Sequence, residues 1–134
     1  MVAYYVKLYF STLLAFLLID GIWLGFVARG FYGRYLGSLL KPNPNWLAAS
    51  LFYLLFVAGI LLFVIIPALQ HESGKRALVC GAIFGLVTYA TYDLTNLATI
   101  RDWPLVVTIV DLAWGMSIGT AVSYFGFLAA RWFQ

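Results

Sequence analysis

Three aspartates stand inside otherwise apolar runs: Asp20 in "LLIDGIW", Asp93 in "ATYDLTN" and Asp111 in "TIVDLAWG". Each has aromatic or amide company at helical spacing. Trp23 follows Asp20 by three residues and Trp114 follows Asp111 by three, so each indole shares a helix face with a carboxyl that its N–H could reach. Tyr89 precedes Asp93 by four and Asn96 follows it by three, with Tyr92 beside them. A carboxyl held in hydrocarbon cannot stay a bare anion, because burying an unpaired charge costs several kcal/mol and like charges raise one another's pKa. Three chemistries answer that constraint. The group keeps a proton, it takes a hard cation or an organic ammonium, or an arginine from the same side (Arg29, Arg34 or Arg101) reaches in.

The elements that must position these residues follow from composition. The 134 residues are 64% hydrophobic and only 10% charged, with a mean hydropathy of +0.96, which places the chain in a membrane. Four apolar stretches, about 8–28, 46–66, 77–100 and 104–130, each reach the roughly 20 residues that a helix needs to cross a bilayer. Backbone groups in lipid must be paired within the segment, so the runs are helices. Short connections make them an all-α, antiparallel four-helix bundle in a single domain, residues 1–134. The first run follows Lys7 as a signal peptide would. It is read as a retained helix, because it is long, contains Asp20 and lacks a small-x-small site before Arg29. Pro67 and "QHESGKR" end the second helix, and Pro104 suits the first turn of the fourth.

Depth ties the aspartates together. Asp20 is eight residues before Ala28, Asp93 seven before Ile100, and Asp111 seven after Pro104. At 1.5 Å per residue all three lie about 11 Å below the face that carries the first and third loops. Tyr53, seven residues in from Trp46, brings a phenol from the second helix to the same layer. The candidate ligand-binding residues are therefore Asp20, Trp23, Tyr53, Tyr89, Tyr92, Asp93, Asn96, Asp111 and Trp114, acidic in the middle with indoles above and below. One polar residue in a span commonly just joins helices. Three ionisable groups at one depth favour a site.

Other features carry less. Trp46, Trp103 and Trp132 sit at helix ends as interfacial belt residues, Cys80 is packing, and His71 with Glu72 is a solvated loop. A single cysteine excludes a CxxC motif, and with His71 in the opposite loop no metal site is assigned. No basic stripe exists to track nucleic acid; the net charge of +3 suits phospholipid headgroups. Small residues four apart, Gly21 and Gly25, Gly81 and Gly85, Gly115 and Gly119 followed by Ser123, permit close helix approach. In the first loop, Phe31, Tyr35, Leu36, Leu39 and Leu40 form a short interfacial helix that covers the polar layer as a lid over residues 30–40, ahead of the "PNPN" turn. Four cations flank each membrane face, so the positive-inside rule leaves orientation and dual topology open, with the free amino terminus favouring a cytoplasmic one.

The set "DGIWLG", "FYGRYLG", "GAIFGLVTYATYDLTNLATIRDWP" and "VDLAWG" resembles a bacterial family of small four-helix inner-membrane proteins known only as a domain of unknown function. The resemblance covers nearly the whole chain. It implies a multi-pass protein of the bacterial inner membrane and puts Asp20, Trp23, Tyr92, Asp93, Thr95, Asn96, Trp103, Pro104, Asp111, Trp114 and Gly115 in the family's motifs. It supplies no reaction and no cofactor. Three functions fit the residues. The first is a binding protein, sensor or partner subunit for a small lipophilic or cationic ligand, working with membrane lipids and alone, as a homodimer or beside another membrane protein. The second is a proton-coupled exporter, similar to small multidrug-resistance transporters but with three aspartates on three helices where those proteins use one glutamate. The third is an intramembrane lipid or isoprenoid isomerase, one carboxyl giving a proton and another removing one.

Overall fold

The computed structural model describes residues 1–134, which form five helices and no strand. Four are long and apolar enough to span a membrane: α1 (Val2–Val27), α3 (Trp46–Gln70), α4 (Gly74–Thr99) and α5 (Leu105–Phe133). The short α2 (Arg29–Leu36) occupies the first connection, where the apolar spacing places a helix, but it ends before Leu39 and Leu40. Large apolar side chains such as Leu14, Leu55, Phe63 and Val87 point outward and exposed, as the lipid-facing side of a membrane bundle requires.

The helices begin and end differently from their apolar runs. α1 starts at Val2, ahead of the apolar run that begins at Leu8. α4 starts at Gly74, capped by the Ser73 hydroxyl, which accepts from the Arg76 N–H at 3.1 Å. Asn45 caps α3 in the same way through Ala48 N–H. Pro67 does not end α3. A π turn over Leu61–Ile65, closed by the Ile66 N–H on the Leu61 carbonyl, widens the helix just before the proline ring and lets it continue to Gln70. Pro104 is the N-cap of α5, one position before the first turn. A second π turn, Trp23–Val27, closes α1, with the Ala28 N–H bonded to the Trp23 carbonyl at 2.7 Å.

The tightest contact in the bundle is α4 against α5, made by glycines. A Cβ added to Gly85 would stand 1.8 Å from the Gly115 carbonyl oxygen, and one added to Gly119 would stand 2.2 Å from that of Gly81. Backbones meet here with no side chain between them. Gly21 and Gly25 have the same spacing but face open space, so that pair does not join helices. α1 packs on the other side of α5. α3 packs on α1 through its first half, and reaches α4 and α5 through its π turn. The main core, Leu8, Phe16, Phe56, Val57, Ile60, Leu61, Val64, Ile65, Ile118, Val122 and Ala130, therefore lies in the half of the bundle away from the first and third loops. A smaller cluster of Leu36, Trp103 and Val107, with Phe31, Tyr32 and Leu97 against it, closes the opposite end under α2.

Trp103 departs from the belt assignment. It is 8% exposed, and its Nε1 donates to Thr108 Oγ1 at 3.1 Å, because the left-handed Asp102 (φ 60°) turns the chain and folds the indole inward. Trp46 and Trp132, at 69% and 86% exposed, keep the outward setting of belt residues.

The glycine contact yields a paired test. Gly85→Ala forces the two backbones apart and should destabilise the protein by about 1–3 kcal/mol, whereas Gly21→Ala, in open helix, should leave stability unchanged or raise it by up to about 1 kcal/mol. Thermal unfolding of both variants in mild detergent checks the contrast; equal losses would mean that the α4–α5 approach is not the close one.

Candidate functional site

Measured from the observed helix ends, the polar layer persists. Asp20 and Tyr53 are each seven residues from Val27 and Trp46, and Asp93 and Asp111 each six from Thr99 and Leu105. That is about 9–11 Å in along each helix. The residues converge on a cavity of about 350 Å³. Asp20, Trp23, Tyr53, Tyr89, Tyr92, Asp93, Asp111 and Trp114 all line it, and Asn96 does not. Asn96 lies one turn closer to the third loop, at the end that the Leu36, Trp103 and Val107 cluster fills.

All three carboxyls are buried, Asp20 at 6%, Asp93 at 0% and Asp111 at 7% exposure, but they do not form a single group able to hold a metal ion. Asp20 is well partnered. Its Oδ2 accepts from the Tyr53 hydroxyl at 3.1 Å and its Oδ1 from Trp114 Nε1 at 3.3 Å. Trp114 thus serves the aspartate of the other helix, not Asp111 three residues earlier on its own. The two indoles also do not bracket the carboxyls from above and below. Trp23 and Trp114 stack face to face, centroids 4.4 Å apart and planes at 8°. The antiparallel setting of α1 and α5, with Trp23 in the π turn, brings both rings to one level as a single wall.

Asp111 accepts from the Tyr32 hydroxyl of α2, a residue that sequence spacing does not flag because it sits in a connection. Tyr32 makes α2 a cover latched to the carboxyl layer. Asp93 is different: it is fully buried, and neither of its oxygens has a donor. The Asp111 carboxyl lines the same cavity but is itself an acceptor. Even a proton shared between the two carboxyls would leave one Asp93 oxygen unmet. Trp23 Nε1 is likewise buried without an acceptor. Two residues of the lining thus hold buried polar groups without partners, an acceptor on Asp93 and a donor on Trp23.

The arginine solution is not realised. Arg29, Arg34 and Arg101 are exposed, none lines the chamber, and Arg34 lies over the Tyr35 ring at 5.5 Å. The threonines of "ATYDLTN" belong to their own helix: Thr91 donates to the Val87 carbonyl at 2.7 Å and Thr95 to that of Thr91, both facing outward. Thr108, which accepts from Trp103, lies 3.4 Å from the Asp93 carbonyl and so fastens the third loop to the backbone that carries this carboxyl. Tyr32, Leu24, Ala49, Phe52 and Thr88 complete the lining.

Residues 5–128 match the model of a family described as "Predicted membrane protein (DUF2177)", and the chain belongs to that family. No curated protein and no solved structure matches it.

Two outcomes follow from this geometry. Burial first, and the hydrogen bond to Asp111 second, raise the Tyr32 phenol well above its ordinary value of 10.0. The folded state then holds this proton more tightly than the unfolded one, so the stability it contributes is complete below about pH 10 and is lost as pH rises through the raised value. Subtracting the phenolate absorbance titration of Tyr32→Phe from that of the parent should leave one phenol titrating above the ordinary tyrosine range. Asp93→Asn keeps the shape and removes the ionisable group, so in thermal unfolding it should leave stability unchanged or raise it, by on the order of 1–3 kcal/mol at most. A loss of that size would mean that Asp93 is a structural partner.

Proposed function

We propose that this membrane protein binds a small lipophilic or cationic ligand in the chamber between α1, α3, α4 and α5, under α2. The observation that carries the reading is Asp93, a fully buried carboxyl with no donor, on the wall of a 350 Å³ cavity. An unpaired polar group in a dry interior costs about 1–3 kcal/mol and is retained where it does something else. Asp20, given two donors, is the structural carboxyl beside it; Asp111, latched by Tyr32, couples the chamber to its cover. The volume is at the small end of ligand sites, and the lining combines apolar and aromatic walls with a few polar groups, as such sites do. Stacked indoles and tyrosine faces attract a cation or an unsaturated chain.

A second reading, proton-coupled exchange, draws on the Asp93 and Asp111 carboxyls, which line one cavity and can trade a shared proton for a substrate. Proton flux in vesicles on adding a lipophilic cation tests it, and a flat trace removes it.

The binding reading is tested on the purified protein in mild detergent with a panel of long-chain alcohols, amines and lipophilic cations, followed by tryptophan fluorescence, since Trp23 and Trp114 form one wall. At least one class should saturate, and Asp93→Leu, which fills the space beside Asp111 with an apolar side chain, should abolish that saturation while the melting temperature is kept. Saturation that Asp93→Leu leaves untouched would place binding elsewhere.

A further inference from the structure

The chamber's wall is interrupted between α3 and α4. Near the second loop these helices are in contact, Gly59 against the Phe84 ring, and Phe56 edge-on to Phe84 at 5.4 Å and to Tyr89 at 6.5 Å. Beyond that level α3 leans on α1 instead, and the residues that would meet across the seam line the chamber: Ala49 and Phe52 from α3, Tyr92 from α4. Phe52 is 43% and Tyr92 58% exposed, on a flank that faces lipid in a membrane bundle. Above, α2 closes the loop end through Tyr32 on Asp111 and Leu36 on Trp103 and Val107. Access from the bilayer is therefore sideways, while access from water lies behind a packed cap.

Size and polarity narrow what enters. A cavity of about 350 Å³ takes a head and the first part of a chain, so the remainder of a long molecule stays in the hydrocarbon outside the seam. Neither lysine, arginine nor histidine lines the chamber, which disfavours a phosphate or carboxylate head. The buried unmet groups of the lining are an acceptor, Asp93, and a donor, Trp23 Nε1. An ammonium carries donors only and would leave the indole N–H unpaired; a hydroxyl both donates and accepts.

We infer that the chamber takes the hydroxyl head of a single-chain lipid alcohol, which enters from the bilayer between α3 and α4, donates to Asp93 and accepts from Trp23. This rests on the binding reading above and names the ligand class for the same site.

The test uses radiolabelled oleyl alcohol and oleylamine with the full-length protein in mild detergent, melting temperature being recorded for every variant. Oleyl alcohol should bind saturably and tighter than oleylamine. Trp23→Phe should weaken it about tenfold, the loss of roughly one hydrogen bond. Asp93→Asn, whose amide oxygen still accepts, should retain oleyl alcohol, whereas Asp93→Leu should abolish it. Ala49→Trp, which narrows the seam without touching the polar groups, should also abolish it. Oleylamine binding in preference to the alcohol, with loss in Asp93→Asn, would overturn the hydroxyl assignment and leave the binding reading standing. Alcohol binding indifferent to both Trp23→Phe and Ala49→Trp would overturn the proposed pose and entry. Saturable binding by neither probe, nor by any lipophile in the broader panel, would bring down both readings.

Discussion

A carboxyl group in hydrocarbon has to find its partners inside the protein, because no water is there to supply them. The loop-side half of this bundle is arranged around that constraint, and its three aspartates meet it in three ways. Asp20 receives a phenol from α3 and an indole from α5, and so ties three helices at one depth. Asp111 receives the Tyr32 phenol and thereby draws α2 down as a cap. Asp93 receives nothing, although its backbone is anchored by Thr108 and its burial is complete. Two satisfied carboxyls frame one unsatisfied one.

That arrangement depends on how closely α4 and α5 approach. Gly81 and Gly85 lie against Gly119 and Gly115, backbone to backbone, which brings Asp93 and Asp111, further toward the loop end of the same two helices, to the lining of one cavity. The same closeness lets Tyr89 lie over Gly115, where a larger residue would collide with its ring. Since α4 and α5 are committed to one another, α3 is left to close the bundle, and it does so only in the half that holds the apolar core. The cavity and its lateral seam are what remains where α3 diverges. Close packing in one place thus leaves space in another, at the depth where the polar groups gather.

Much of this was legible in the residues, and what was not has physical reasons. Four spans, their antiparallel order and the shared depth of Asp20, Asp93, Asp111 and Tyr53 follow from apolar length and a fixed rise per residue, which the observed helix ends leave nearly unchanged. The short helix in the first connection is legible as apolar spacing, but the role of Tyr32 is not, because loop geometry decides which side chain turns inward. The i,i+3 rule describes neighbours on one helix only. It could therefore pair Trp114 with Asp111 but could not foresee that Trp114 would cross to Asp20 and stack on Trp23. Glycine spacing marked Gly81, Gly85, Gly115 and Gly119 and, with equal force, Gly21 and Gly25, since a four-residue repeat does not say whether helix or lipid lies opposite. Trp103 read as a belt residue because its position at a helix end is compatible with either face; the left-handed turn at Asp102 decides.

The proposed ligand supplies the partner that Asp93 lacks within the chain. The most direct measurement is mass spectrometry of the intact protein released from its native membrane, compared with Asp93→Leu prepared in parallel. The account predicts one lipophilic adduct at near-equal stoichiometry, enriched well beyond its share of the surrounding lipid and missing from the substituted protein. Adducts that mirror the bulk lipid composition and are the same in both proteins would contradict it.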